Sequence, residues 1–496
     1  MFGSKPRNHI AGPLACLVLL VATAQGQSAP AVATASAPAA PPTCAQTLDS
    51  LDAKIRQNYA GFLLEVRGAR RAAYDSVRAN VAREAAATPL SDCVRPLTRL
   101  VRWFDDPHLF VYQNPVIDSA SAQAARAALR RLPLDEETLR RRFARPELPL
   151  DPIEGLWYDG PTRLAIIKDP QAGTGHFVAV LLAGDTAGWS AGDVRAEIRR
   201  VGETAYAVDL RARNFARLRL EATLHRRSIL RLSPGMWGKA APLAAADSGL
   251  LDPTDVHRPR VVLRERSVVV SLPSHDPRFM RALDSAVMAA GEAIRARGLL
   301  IIDLRGNEGG SSQMSRALHP YISMPTRQPT PYDAGVPVML SSSAQVAYAR
   351  RAFGSDTSTF VRALLRRMEA ALGQLVPIED PPSAPPIDAS YEGNWRVAVL
   401  VDRGTVSAAE VLVLRALRSR RAVVIGEPTA GALDYQSTQI VGLGTGDRRW
   451  ALGYPTIAAH AELPARGMRG KGIPPTMRVE WATVTDAYAE VERRMR

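Results

Sequence analysis

From Cys44 to about Pro146 apolar residues recur at helical spacing: Leu48, Leu51, Ile55, then Phe62, Leu63, Val66, then Leu97, Leu100, Val101, Phe104. Steps of three and four place such residues on one helix face, so 44–147 predicts a helical cap domain. After residue 150 the pattern changes. Alternating runs appear at 164–168 (LAIIK), 176–182 (HFVAVLL) and 216–224 (ARLRLEATL), separated by Gly and Asp. Period-two alternation marks half-buried strands, so 150–243 predicts a small antiparallel, barrel-like β domain with Trp157 and Trp237 plugging its ends. From 258 to 496 short continuous apolar runs take over: VVVSLP (268–273), LLIIDLR (299–305), VAVLVD (397–402) and AVVIGE (422–427). Such runs suit strands covered on both faces, and helices at 278–297 and 407–419 supply covers. The chain therefore reads as α/β, with a helical N-terminal domain and an inserted β domain.

The first residues carry a different signal. Lys5 and Arg7 precede an apolar run from Ile10 to Ala24, with small residues at Ala22, Ala24 and Gly26. A positive end, a short apolar segment and a small-residue cleavage site predict a signal peptide over 1–26, cut after Ala24 or Gly26. The run is shorter than the ~20 residues of a comfortable membrane span, so no stable membrane insertion is expected after cleavage. Residues 27–43, Ala/Pro/Ser without charge, read as a linker. The expectation is an exported protein, periplasmic or secreted. Export exposes Cys44 and Cys93 to an oxidising compartment, and a structural bridge is expected over the alternative of two buried thiols.

The 496 residues suit several domains, and 46 % hydrophobic against 23 % charged residues excludes global disorder. A net charge of +14 invites a nucleic-acid reading, but the basic residues, nearly all arginine, are scattered among acids. A nucleic-acid footprint concentrates on one stripe or face, so no nucleic-acid partner is expected.

Three segments carry candidate chemistry. Ser407 follows an apolar strand and the turn Arg403-Gly404-Thr405-Val406, opening the helix SAAEVLVLRALRS. A serine at that corner is exposed beside unpaired N–H groups able to hold an oxyanion. Yet Ser407-Ala408-Ala409-Glu410 is also a capping box, and this stretch alone reads first as a cap. The second segment, Asp303-Leu304-Arg305-Gly306-Asn307-Glu308-Gly309-Gly310, ends an apolar run. Its glycines permit a sharp turn with N–H groups presented to an anion, or an ordinary loop. The third is Asp105-Asp106-Pro107-His108, where a histidine suited to general-base work also reads as a turn residue. His460 is kept as a spare, and the remaining histidines have no comparable context. Gly442-Leu443-Gly444-Thr445-Gly446 reads as a hairpin turn. HExxH, CxxC and carboxylate clusters at metal spacing are lacking, so no metal or other cofactor is expected.

Taken in order, FDDPHLF, LLIIDLRGNEGGSS, VAVLVDRGTVSAAEVLVLRAL, AVVIGEPTAG and GKGIPP resemble the C-terminal processing (tail-specific) serine peptidases. The resemblance covers 258–496 well, the cap weakly and 150–243 not at all. It implies a crotonase/ClpP-like core and a serine endopeptidase acting on peptides or unfolded proteins. Ser407 becomes the nucleophile; Ala408 and Gly309 or Gly310 become the oxyanion hole. One branch of the family uses a lysine 25 residues beyond the serine, which is Ala432 here. The tricorn-like branch uses a cap histidine, which His108 matches as general base. That branch also has a glutamate just before GI-x-P, where this chain has Arg469-Gly470-Lys471. The orienting carboxylate is thus unassigned, with Asp434, Glu427 and Glu462 as substitutes. The alternative is a catalytically silent member that binds peptides or apolar ligands.

Overall fold

The computed structural model describes residues 42–145, 149–232, 235–243, 249–324, 336–354, 358–378, 391–444 and 449–496. The expected signal peptide and nearly all of the linker lie outside them, as do Thr445 and Gly446. The cap opens with α1 (Cys44–Asn58), whose N-cap Thr43 and Gln46 exchange capping-box hydrogen bonds of 3.2 and 2.8 Å. Then come α2 (Ala60–Glu65), α3 (Ala69–Ala86) and α4 (Val94–Arg102). Leu48, Leu51, Ile55, Leu97, Leu100, Val101 and Phe104 all bury against one another, as their spacing dictates. A Cys44–Cys93 disulfide ties the start of α1 to the start of α4, closing a separation of 49 residues. In the chain-entropy picture such a crosslink stabilises mainly by restricting the unfolded chain. A Cys44→Ser/Cys93→Ser variant is expected to lose roughly 2–4 kcal/mol. Urea unfolding reads this directly; an unchanged midpoint would contradict it.

The cap segment is not helical throughout. After α4 the chain forms strand β1 (Phe110–Gln113), then α5 (Ser119–Ala127) and α6 (Glu136–Phe143). The sequence pattern passed over β1 because its four half-buried residues carry little alternation and need a distant partner.

Eight strands follow in a meander: β2 (Gly155–Asp159), β3 (Thr162–Lys168), β4 (His176–Leu181), β5 (Val194–Arg200), β6 (Ala205–Arg211), β7 (Arg217–His225), β8 (Ile229–Leu232) and β9 (Met236–Ala241). β9 pairs back onto β2, so the barrel is closed. Closure removes both free edges. Trp157, Phe177, Tyr206, Leu224, Leu230 and Trp237 belong to a single buried cluster fed by alternate positions of every strand, which is the interior. An eight-stranded barrel is just wide enough for side chains to fill. The two tryptophans sit within this packed interior. The outward residues Leu156, Ala165, Val178 and Val180 are covered by Leu139 and Phe143 of α6.

The core domain begins with β10 (Arg260–Leu263), β11 (Val268–Ser271) and β12 (Leu299–Asp303). Further on lie β13 (Val338–Leu340), β14 (Leu375–Pro377), β15 (Arg396–Val401), β16 (Ala422–Gly426), β17 (Tyr435–Gly442), β18 (Trp450–Ala458) and β19 (Met477–Arg478). The main sheet runs β10-β11-β12-β15-β16-β19, with every pair from β11 onward parallel. Its alternate residues feed two clusters, Val270, Ile302 and Val399 on one face, Val269, Ile301 and Leu400 on the other. Burial on both faces explains the unbroken apolar runs. The helix expected over 278–297 is divided at Ala290 into Met280–Ala289 and Gly291–Arg297.

β18 anchors a second sheet, pairing with β17, β13 and the cap's β1. Tyr435, Trp450, Leu452 and Tyr454 of this sheet share the cap's buried cluster. The cap is therefore fixed to the core by backbone pairing and a common apolar interior.

Candidate active site

β12 and β15 are adjacent and parallel, with Asp303 opposite Leu400. The two loops that the sequence singled out leave their C-terminal ends side by side. In open α/β sheets this edge is where ligands meet the protein.

The turn after β15 is cross-linked to the loop after β12. Asp402 Oδ1 accepts the N–H groups of Gly306 (2.8 Å) and Gly404 (2.9 Å). The Thr405 hydroxyl donates to Leu304 O (3.0 Å), and Val406 N–H donates to Asn307 O (2.9 Å). Ser407 emerges at φ 56°, ψ −116°, a strained conformation for a residue with a side chain. The helix Ala408–Leu417 starts immediately after it.

Glu410 is the fulcrum of this corner. Its fully buried carboxylate accepts Ser407 N–H (2.9 Å), the Thr429 hydroxyl (2.6 Å), Gly431 N–H (2.7 Å) and Ala432 N–H (2.9 Å). Burial raises its carboxyl above the usual range, while the four donors oppose that shift. The capping-box glutamate thus ties the Ser407 corner to the strand end after β16.

In the loop after β12, Asp303 accepts the Arg305 guanidinium (3.0 and 2.8 Å) and the Tyr488 hydroxyl (2.6 Å). Asp303 is fully buried, which opposes ionisation, yet Arg226 and Arg305 hold its carboxyl well below the carboxylate range. Asn307, also fully buried, donates to Leu272 O (2.7 Å), and its Oδ1 accepts Gly309 N–H (2.8 Å) and meets His275 Nδ1 (3.1 Å). Gly309 N–H is therefore already committed. The bonds linking this loop to His275 use Gly309 O and Ser311 N, so Gly310 N–H stays out of that bridge. Ala408 is the first residue of its helix, and its N–H has no intrahelical acceptor.

Gly309 has φ +88°, and a Cβ there would lie 2.8 Å from both Ser407 Cβ and Val406 O. Gly309→Ala is expected to push the loop off the serine and cost roughly 10²- to 10³-fold in reaction rate, the scale of losing an oxyanion donor. Serine-labelling kinetics measure it, and a wild-type rate would show that the loop tolerates the shift.

His108 comes from the cap. Asp105 takes φ 53°, and Asp106 Oδ1 accepts the backbone N–H of His108 (2.9 Å), a side-chain-closed turn that presents the ring. His108 Nε2 lies 2.9 Å from Ser407 Oγ across 299 positions of sequence. Burial drops the imidazole pKa to about 4, against opposing backbone groups of Ala432 and Tyr435. The ring is neutral at neutral pH, the form that accepts a proton.

The carboxylates offered by sequence as orienting groups are engaged elsewhere. Asp434 accepts Met468 N–H (2.7 Å) and Arg469 N–H (3.1 Å). Glu427 accepts Trp481 N–H (3.2 Å), and Glu462 pairs with Arg466 (2.9 Å). His460 Nδ1 accepts Glu462 N–H (3.2 Å) in a turn, so the spare histidine serves local structure. Arg469 reaches across to the cap, where Glu65 takes both its nitrogens (2.8 and 2.9 Å) and the Tyr435 hydroxyl (2.7 Å).

Two histidines without a sequence signal adjoin the two candidate loops. His275 is buried beside Gly310, and burial lowers its pKa to about 4. His225, at the end of barrel strand β7, wedges between Gly306 and Gly404; a Cβ on Gly404 would fall 2.4 Å from its Cε1. The barrel's β7–β8 turn has both Arg226 (φ 52°) and Arg227 (φ 55°) in the left-handed region. Arg226 delivers its guanidinium to Asp303 (3.4 Å) and the Tyr488 hydroxyl (3.2 Å), and Arg231 donates to Gly404 O (3.1 Å). The inserted barrel thus packs directly beneath both loops.

This arrangement, a serine on a strained corner with a neutral histidine at hydrogen-bond distance, is that of a serine hydrolase. The model of Peptidase family S41 matches residues 270–479, so that stretch of the chain is similar to the family of the C-terminal processing peptidases. No curated protein matches the chain. Among solved structures it is similar to mature CPAF complexed with lactacystin (12 % identity, TM-score 0.45, covering 91 % of this chain and 97 % of that one). It is also similar to a photosystem II D1 C-terminal processing protease (16 %, TM-score 0.34, covering 91 % and 96 %). A third similar structure is a lipoprotein from Streptococcus agalactiae (11 %, TM-score 0.37, covering 93 % and 100 %).

Proposed function

We propose that the protein is an exported serine endopeptidase that cleaves peptides or unfolded proteins through an acyl-enzyme on Ser407. The observation that carries this reading is the 2.9 Å approach of His108 Nε2 to Ser407 Oγ. His108 takes the hydroxyl proton as Oγ bonds to the scissile carbonyl carbon, and the carbonyl oxygen becomes an oxyanion. Gly310 N–H and Ala408 N–H are the donors best suited to receive it, because Gly309 N–H already serves Asn307. Collapse of the tetrahedral species breaks the C–N bond, and His108 returns its proton to the leaving amine. Water, deprotonated by the same imidazole, then releases the acyl group and restores Ser407.

Export is supported by the signal pattern at 1–26 and by the Cys44–Cys93 bridge, a bond typical of oxidising compartments. The filled barrel interior gives no support to ligand binding there as the chain's purpose. The test is degradation of a reduced, alkylated unfolded protein, followed by gel and mass spectrometry. Fragments are expected with the wild type and none with Ser407→Ala; equal fragmentation by both would refute the assignment.

A further inference from the structure

The proposed reaction needs something on the far side of the imidazole from the serine. When His108 takes the Ser407 proton it becomes a cation, and a buried cation without a counter-charge is costly. Its Nδ1 is buried and has no hydrogen-bond partner among the described residues, though backbone groups of Ala432 and Tyr435 favour its charged form. Where the tricorn-like branch places a glutamate before GI-x-P this chain has Arg469-Gly470-Lys471, and Arg469 is already paired with Glu65. The three carboxylates suggested by sequence are spent on backbone N–H groups or on Arg466.

Among the described residues one carboxylate lies within 4 Å of a His108 ring nitrogen: that of Asp106, whose Oδ1 is 3.9 Å from Nδ1. Asp106 is itself held from both sides, its Oδ1 by His108 N–H (2.9 Å) and its Oδ2 by the Tyr59 hydroxyl (2.8 Å). Its surroundings come from four directions: Tyr59 between α1 and α2, Glu65 at the end of α2, Tyr435 at the start of β17, and Arg469 from the loop after β18. The Tyr59 and Tyr435 rings touch edge-on at 5.2 Å, so the Glu65–Arg469–Tyr435 cluster backs the Tyr59–Asp106 bond.

We propose that Asp106 is the positioning carboxylate of this site, an anion beside Nδ1 that orients the imidazole and balances the charge it gains. The inference rests on the peptidase reading above. A separation of 3.9 Å is a contact that tightens once substrate is bound, as catalytic hydrogen bonds commonly do. Asp106 also has a titration that reports its role. Burial raises its carboxyl to about 7, opposed by His108 N–H, the Tyr59 hydroxyl and the Arg469 charge, and reinforced by Glu65. Because the anion is the working form, the reaction speeds up as pH rises through about 7.

The test is the second-order rate of Ser407 phosphonylation by a fluorophosphonate, measured from pH 5 to 9 on wild type, Asp106→Asn and Tyr59→Phe. Asparagine keeps the oxygen that accepts His108 N–H, and the Tyr59 hydroxyl can turn to accept from its amide, so the fold persists, as a melting curve checks. The wild-type rate is expected to climb through about pH 7. Asp106→Asn is expected to lie about 10²- to 10⁴-fold lower at pH 8, the range for losing a carboxylate that supports a catalytic histidine, and to lack the climb. Tyr59→Phe keeps the charge but removes one bond to the anion, so its climb moves to higher pH. A folded Asp106→Asn with wild-type rates and profile, or a Tyr59→Phe profile that does not move, overturns the proposal and leaves the peptidase reading standing. A wild type that is never labelled overturns both.

Discussion

Ser407→Ala and His108→Ala are each expected to lower peptide hydrolysis by roughly 10⁵- to 10⁶-fold, and the double variant to be no slower than either single one. In the proposed mechanism the two side chains act as one unit: a serine hydroxyl without a base is a weak nucleophile, and a base without the hydroxyl has no proton to take. What remains after either change is binding and oxyanion stabilisation by backbone N–H groups, which neither substitution removes. Neither variant is expected to unfold. Ser407 sits on a turn held by Asp402, Thr405 and Val406, and His108 sits on one closed by Asp106. Initial rates on a fluorogenic peptide measure all three proteins. Additive losses, with the double variant far below each single, would mean that the residues act in separate steps.

Glu410→Gln is expected to damage fold and chemistry together. Glu410 accepts four donors with two oxygens in a site closed to water. Glutamine replaces one oxygen with an NH₂ group, and that group must then face a donor. A buried donor left without a partner costs about 1–3 kcal/mol, and bonds to a charged acceptor are worth about 1.5–3 kcal/mol each. A loss of roughly 3 kcal/mol follows. The same bonds hold Ser407 at its strained φ and fix Ala432 beside His108, so serine labelling is expected to slow as well. Urea unfolding and labelling kinetics on one preparation check this. A variant as stable and as reactive as wild type would show that the carboxylate is not what holds the corner.

The sequence made the strand ends and the two candidate loops visible because both rest on local chemistry. Apolar runs such as LLIID and VAVLV are continuous since both faces of β12 and β15 are covered, and glycines must follow where Gly309 meets Ser407 at φ +88°. The capping box around Ser407 is present and is compatible with the approach to His108, since Glu410 caps the backbone N–H while the hydroxyl lies 2.9 Å from His108 Nε2. Contacts made by tertiary packing left no local trace. His225 reads as a residue of an alternating strand, and only the docking of the barrel brings it between Gly306 and Gly404. Arg226 is one of many arginines until its turn carries it to Asp303. Asp106 was in plain view in DDPH, but its closeness to Nδ1 depends on a turn closed by its own side chain. Before GI-x-P the chain has Arg469-Gly470-Lys471 instead of a glutamate, and Arg469 pairs with Glu65 from the cap.

The central claim is that Ser407 is an activated nucleophile, and covalent labelling tests it most directly. The folded protein is treated with a fluorophosphonate, its intact mass is recorded, and the adduct is located by peptide mapping, with Ser407→Ala alongside. One adduct per chain, on Ser407 and absent from the variant, is the predicted result. A folded protein that gains no adduct, or gains one elsewhere that persists in Ser407→Ala, would contradict the account.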